Sequence, residues 1–315
     1  MSKHPIAFVF PGQGSQRVGM LAAACEKFSS VRDTVSEASQ VLGYDLWSVI
    51  QDGPQEALNL TATTQPLLLT CSVALWRAWQ QTTVIKPSIM AGHSLGEFSA
   101  LVCADSLGFD DALKLVRQRG EFMQNAVPVG QGAMAAILGI DDPLVIAICE
   151  QISKPQEHLV SAVNFNSPGQ VVIAGHKAAV EEAIIALTEA GAKKAMPLPV
   201  SAPFHTALMK PAGDKLANAI ADIQIMSPQI PVVHNVNAKP EADPEAIRKL
   251  LVEQIYSPVR WTDCIQTIIN SDVSHIVECG PGKVLSGLNR RINKSLQSYA
   301  LENPEDLIAT ANELH

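Results

Sequence analysis

Ser88-Ile89-Met90-Ala91-Gly92-His93-Ser94-Leu95-Gly96-Glu97-Phe98-Ser99-Ala100-Leu101-Val102-Cys103-Ala104 decides the fold. Its first four residues read as a short buried strand, and the residues from Glu97 onward read as a helix. Between them lies Gly-x-Ser-x-Gly on a strand-to-helix turn, the pattern of a nucleophile elbow. The flanking glycines permit a sharp turn without a Cβ clash. Such a turn lifts the Ser94 hydroxyl clear of the sheet and aims a helix N-terminus at it, so backbone N–H groups stand where an oxyanion would form. The reading points to an acyl-serine intermediate. A structural turn built from the same residues is the alternative.

Working outward, Ile6-Ala7-Phe8-Val9-Phe10 reads as a first buried strand, followed by the loop Pro11-Gly12-Gln13-Gly14-Ser15-Gln16. After Gly12 and Gly14, the third glycine of a dinucleotide fingerprint would fall at Arg17, and no Walker lysine follows. The loop is either a tight turn whose amides face the elbow or a plain turn. Gln65–Gln81 reads as a helix with an apolar stripe, and two more helices after the elbow end near Gln124. This is the grammar of a parallel sheet with crossover helices.

From about Pro128 the pattern changes. Strand Gly132–Gly139, helix Pro143–Ile152, strands Val160–Phe165 and Gln170–Ala174, helix His176–Ala190 and strand Ala195–Pro199 follow in turn. That order is β-α-β-β-α-β, a ferredoxin-like unit. The α/β style then resumes with helix Ala212–Ile223, strand Val232–Asn235 and strand His275–Cys279. The expected architecture is a large α/β domain, residues 1–127 and 206–315, carrying a small inserted ferredoxin-like domain, residues 128–205. A cleft between the two is the expected site.

The 315 residues are 47% hydrophobic, enough for a large core, and only 17% charged, with a net charge of -8. So acidic a chain is a poor general nucleic-acid binder. No apolar run reaches membrane-spanning length, and the run at Ile6–Phe10 is too short for a signal peptide. Cys25, Cys71, Cys103, Cys149, Cys264 and Cys279 form no Cys-x-x-Cys pair, and no metal-ligand spacing is present. They read as core thiols of a cytoplasmic protein.

A serine nucleophile needs a base, most often histidine. His4, His158 and His315 have polar or terminal surroundings, His176 opens a helix, and His275 begins an apolar strand. His234 is undecided, and the side chain of His93 should leave the turn in another direction. His205, in Val200-Ser201-Ala202-Pro203-Phe204-His205, stands at the return from the small domain, where a loop histidine can face the cleft. Arg119 follows helix Asp110–Gln118 inside an apolar stretch. It either pairs with an acid such as Glu121 or offers its fork to a ligand carboxylate.

Together these segments resemble the malonyl-CoA:acyl carrier protein transacylases of bacterial fatty acid synthesis. The matching pieces are Phe8-Val9-Phe10-Pro11-Gly12-Gln13-Gly14-Ser15-Gln16, Gly92-His93-Ser94-Leu95-Gly96-Glu97 and Arg119-Gly120-Glu121-Phe122-Met123-Gln124, then Val163-Asn164-Phe165-Asn166-Ser167-Pro168-Gly169-Gln170, Ala202-Pro203-Phe204-His205, Gln254-Ile255-Tyr256-Ser257-Pro258-Val259 and Glu278-Cys279-Gly280-Pro281-Gly282. The resemblance implies an α/β-hydrolase-like domain with a ferredoxin-like insertion. It implies that Ser94 attacks a malonyl thioester, that His205 takes its proton, and that the backbone carbonyl of Gln254 orients the imidazole in place of a triad acid. It also implies an oxyanion hole from the amides of Gln13 and Leu95, and substrate contacts by Arg119, Met123 and Phe204, with Arg119 gripping the malonyl carboxylate. The phenylalanine before His205 matches members that accept malonyl rather than methyl-branched units.

The reaction so implied is ping-pong, from malonyl-CoA to the phosphopantetheine thiol of acyl carrier protein, with no metal or redox cofactor, by a monomer. An acidic carrier would need local basic patches, for which Lys193-Lys194 and Arg290-Arg291 are candidates. Three other readings compete: a serine hydrolase, with Asp110, Asp111, Asp141 or Asp142 as its acid; a free-standing polyketide acyltransferase; and a non-catalytic carrier-binding module. Those aspartates stand at predicted helix starts, where capping is the plainer role.

Overall fold

A computed structural model describes residues 5–154, 157–200 and 202–315. His4 and Ser201 lie outside the described residues. Among them, nine strands form two sheets. β1 (Ile6–Phe10) and β2 (Ile89–Gly92) come first. β3 (Gly132–Leu138), β4 (Val160–Ser167), β5 (Gln170–His176) and β6 (Lys194–Pro197) follow. β7 (Val232–Val233), β8 (His275–Glu278) and β9 (Gln297–Ala300) close the chain.

The large sheet runs β7-β2-β1-β8-β9 with every pair parallel. Every residue of β1, β2 and β8 is buried, as in a parallel sheet covered by helices on both faces. Counted within the sheet, the strand order is 3-2-1-4-5, the doubly wound order. The likeness to α/β-hydrolases is therefore carried by the strand, elbow and helix around Ser94. In such sheets ligands bind beyond the carboxyl ends of the strands. Three adjacent carboxyl ends supply the loop at Gln13 after β1, Ser94 after β2, and His234 and Asn235 after β7.

The second sheet has the order β4-β5-β3-β6, all antiparallel, with helices Asp142–Ile152 and Lys177–Glu189 on the chain between its strands. It has a core of its own, built on Ile137, Val145, Ile173, Val180 and Leu187. β4 also reaches the large sheet's side of the molecule. Phe165 N donates to Val259 O at 3.0 Å, and Val259 N donates to Val163 O at 2.8 Å.

Several element ends shift by a few residues from the sequence reading, and three differences have a clear physical cause. The helix before Arg119 does not stop at Gln118; it runs Phe109–Gln124, so Arg119 is a helical residue. Gly120 permits this, because a Cβ there would lie 2.6 Å from the carbonyl oxygen of Thr61 on helix Thr61–Thr82. β7 ends at Val233, because His234 and Asn235 turn inward to polar partners beneath the elbow. β9 carries no apolar alternation, and it forms because β8 offers it a parallel edge. All six cysteines are free, five of them buried. Among the described residues no helix is long and apolar enough to cross a membrane.

Candidate active site

Ser94 has φ 51° and ψ -107°, a conformation that costs a non-glycine residue on the order of 1–3 kcal/mol. The glycines on either side make room for it. A Cβ on Gly92 would sit 1.8 Å from the Gly96 carbonyl carbon, and one on Gly96 would sit 2.0 Å from the Phe10 carbonyl oxygen. Helix Leu95–Cys103 can therefore press against β1 and β2 only with glycine at both places. Leu95 is its first residue, so the Leu95 amide belongs to the set without an intrahelical acceptor.

Ser94 Oγ lies 2.8 Å from His205 Nε2, and His205 Nδ1 lies 2.9 Å from the backbone carbonyl oxygen of Gln254. A carbonyl only accepts, so the ring proton sits on Nδ1 and Nε2 is the free acceptor for the serine O–H. His205 also has positive φ, 63°. Burial and the nearby Arg119 charge push its pKa down to about 3, so the imidazole is neutral at physiological pH. The structure places His205 beside Ser94, and the position a triad acid would take is filled by a carbonyl. Asp110 and Asp111 lie in the first turn of helix Phe109–Gln124. Asp141 is at the N-cap position of helix Asp142–Ile152, and Asp142 accepts from Gly169 N.

Arg119 is 1% exposed and does not pair with Glu121, which bonds Arg117 at 3.5 Å instead. The guanidinium donates to Gln65 Oε1 at 2.8 Å, Gln254 Oε1 at 2.7 Å and Ser94 Oγ at 3.2 Å, and lies over the Phe98 ring. Its Nε is buried with no partner. Burial lowers its pKa to about 10, which leaves it charged. A buried donor without an acceptor costs about 1–3 kcal/mol, and more when charged. The site therefore holds a buried cation with unmet hydrogen-bonding capacity beside the Ser94 hydroxyl.

A cavity of about 400 Å³ opens over these groups, lined by Gln13, Gln65, Ser94, Leu95, Arg119, Met123, Phe204 and His205, with Met134, Asn164, Leu198, Pro199 and Val200 from the β3–β6 side. It gathers every predicted site residue except Gln254, which acts from beneath. His93 turns its ring to Asn166 Oδ1 at 2.8 Å, and burial lowers its pKa. Four other histidines lie elsewhere. His158 meets Glu182, His176 accepts from Leu159 N, His275 meets Ser274 Oγ, and His315 is exposed. Lys193, Lys194, Arg290 and Arg291 are exposed.

Four site features escaped the sequence reading: Gln65, the side chain of Gln254, Asn235, and the buried pair Glu97–His234. Only Glu97 left a signal, as a carboxylate in the first turn of a helix otherwise composed of apolar and small residues.

Fold and site together define a serine–histidine acyl-transfer protein. Consistent with that class, the acyl transferase domain family matches residues 7–306. The malonyl CoA-acyl carrier protein transacylase of Escherichia coli (strain K12) is 56% identical over 303 residues, 96% of this chain and 97% of that one. The structure of the corresponding transacylase from Coxiella burnetii superposes with a TM-score of 0.97 at 45% identity, covering 99% of this chain and 98% of that one. A malonyl-transacylase solved in complex with a type II PKS acyl-carrier protein superposes with a TM-score of 0.96 at 52% identity, covering 98% and 99%. The chain belongs to the malonyl CoA-acyl carrier protein transacylase family.

Proposed function

We propose that this protein moves a malonyl group from malonyl-CoA to the phosphopantetheine thiol of acyl carrier protein, for fatty acid biosynthesis, through a malonyl ester on Ser94. One observation carries the reading: the Ser94 hydroxyl is shared between a neutral His205 Nε2 at 2.8 Å and a buried Arg119 at 3.2 Å whose Nε has no partner.

Neutral His205 takes the Ser94 proton as Oγ attacks the thioester carbon. The amides of Gln13 and Leu95 receive the oxyanion. The tetrahedral intermediate collapses, and His205 returns the proton to the departing CoA thiol. Arg119 holds the malonyl carboxylate, so the ester keeps one orientation while CoA leaves and the carrier thiol enters. The carboxylate also offsets the Arg119 charge that depresses His205, and so makes the imidazole a better base once substrate is bound. The Gln254 carbonyl stabilises the imidazolium less than a carboxylate would, which a thiol leaving group tolerates. These steps use the CoA thioester as substrate and no cofactor.

Phe204 and Met123 line the acyl end, where the Phe204 ring disfavours a substituent on C2 of the acyl group. We assign carrier docking to Lys193–Lys194. They lead along β6 to the rim residues Leu198, Pro199 and Val200, whereas Arg291 is tied to Gln170 and Arg290 shares a groove with Asp306 and Glu313. The strand order and separate core of the second sheet support a ferredoxin-like insertion at residues 128–205 in a catalytic domain of residues 1–127 and 206–315. In this reading the protein works in the cytoplasm as a monomer. The test is to pre-load the enzyme with malonyl-CoA and add carrier protein. The malonyl group should leave Ser94 for the carrier; loss only to water, at an unchanged rate, would overturn the reading.

A further inference from the structure

Glu97 is a buried acid, 0% exposed, that the reaction above does not use. Its carboxylate accepts three N–H groups. His234 Nδ1 lies 2.7 Å from Oε1, while Asn235 N and Gln254 Nε2 each lie 2.9 Å from Oε2. The last two partners lead directly to the reacting groups. Asn235 Oδ1 accepts from Ser94 N at 2.7 Å, and its Nδ2 donates to Gly92 O at 2.7 Å. Gln254 Nε2 also donates to Ser94 O at 3.0 Å, its Oε1 accepts from Arg119, and its backbone carbonyl holds His205. The strained peptide units on both sides of Ser94 are thus pinned by two amide side chains, and Glu97 orients both of those residues. The two ends of an amide side chain are nearly alike in shape, so its hydrogen-bond partners decide which way it points. A carboxylate on Gln254 Nε2 forbids the reverse orientation, because it fixes Nε2 toward Glu97 and therefore Oε1 toward Arg119.

We propose that Glu97 is a positioning residue for the whole site: through Asn235 and Gln254 it fixes the elbow at Ser94, the carbonyl that orients His205 and the acceptor that aims Arg119. It reaches the imidazole only through Gln254, and it works by geometry rather than by contact with the imidazole. The inference rests on Ser94 being the nucleophile.

The two oxygens divide their work, and this supplies a clean test. Glu97→Gln can keep both Oε2 bonds on its own oxygen and donate from its nitrogen to His234, whose Nδ1 then accepts while the ring proton moves to the buried, unpartnered Nε2. Glu97→Met keeps the length and none of the bonds. The readouts are kcat and KM for malonyl transfer, and the rate at which a fluorophosphonate labels Ser94, a reaction that needs no malonyl carboxylate. Misplacement of a reacting group by about 1 Å costs on the order of 100-fold, so Glu97→Met should lose about that factor in labelling and in kcat, more than in KM, while Glu97→Gln retains the rate within about tenfold. If Glu97→Met fails to fold, Asn235→Ala carries the test. It cuts the bonds to Ser94 N and Gly92 O and leaves Gln254 in place, so labelling should fall at least about tenfold with the His205 Nδ1–H resonance unmoved. Native labelling in a folded Glu97→Met protein, or in Asn235→Ala when the methionine variant does not fold, would overturn the proposal. So would a Glu97→Gln protein as slow as the methionine variant. Ser94→Ala separates the two ideas: if it is still labelled at the native rate, the nucleophile assignment fails and the role of Glu97 is not what failed.

Discussion

The two sheets do different work, and they are built differently for it. Around the parallel sheet everything near the reaction is buried and tied down. β1 and β2 are wholly buried, Ser94 is held at its amide and its carbonyl, and Arg119 and Gln254 are each bonded to two or more site residues. The antiparallel sheet has one face on its own core, and it offers the site a wall: Met134, Asn164 and the segment Leu198–Val200. Bond-making needs fixed geometry, so it sits where strands end in a covered sheet. Recognition of a large acceptor needs surface, and the proposed docking pair Lys193–Lys194 lies exposed on this second unit.

Substitutions can break that contrast. Ser94→Ala, in the parallel-sheet unit, should cut malonyl transfer by roughly 10⁴-fold or more without changing the melting temperature downward, read by steady-state transfer and calorimetry. Arg119→Gln should lower kcat/KM for malonyl-CoA by about 100-fold and for acetyl-CoA by far less, because only the malonyl carboxylate loses its partner. Equal losses for the two substrates would place the arginine's role in the fold rather than in selection.

The pH dependence follows from His205. A depressed pKa keeps its neutral, basic form available as pH falls. Labelling of Ser94 by a fluorophosphonate should therefore stay level from pH 8 to pH 5, where an imidazole with the ordinary value of 6.5 would lose roughly 30-fold. Arg119→Gln removes the positive neighbour, so the acid limb should move up toward 6.5. On the antiparallel unit, Lys193→Glu with Lys194→Glu should raise KM for carrier protein on the order of tenfold at low salt, less at high salt, and leave acylation by malonyl-CoA unchanged. A comparable loss in acylation would erase the division between the two sheets.

What the sequence revealed, and what it hid, divides along chemical lines. β1 was read to the residue, because five consecutive apolar residues before a Pro-Gly turn have no other easy reading. Ser94, His205 and Arg119 stood out as reactive or charged types in apolar or glycine-rich surroundings. Gln65, Asn235 and the Gln254 side chain did not. A neutral amide has no periodicity and no motif of its own, and these three acquire meaning only when residues 65, 119, 235 and 254 converge in space. In the sequence the nearest acid to Arg119 is Glu121, two residues along the chain. The helix instead continues to Gln124, turns Glu121 toward Arg117, and leaves Arg119 facing the nucleophile.

The central claim is that Ser94 holds a malonyl group for a thiol rather than for water. The most direct measurement is the intact mass of the protein after mixing with malonyl-CoA, followed in time with and without carrier protein bearing phosphopantetheine. The account predicts one malonyl increment, located on the peptide containing Ser94, that persists in buffer and disappears on adding carrier protein as the carrier gains the same mass. An increment on another residue, or one that water removes as fast as carrier protein does, would contradict it.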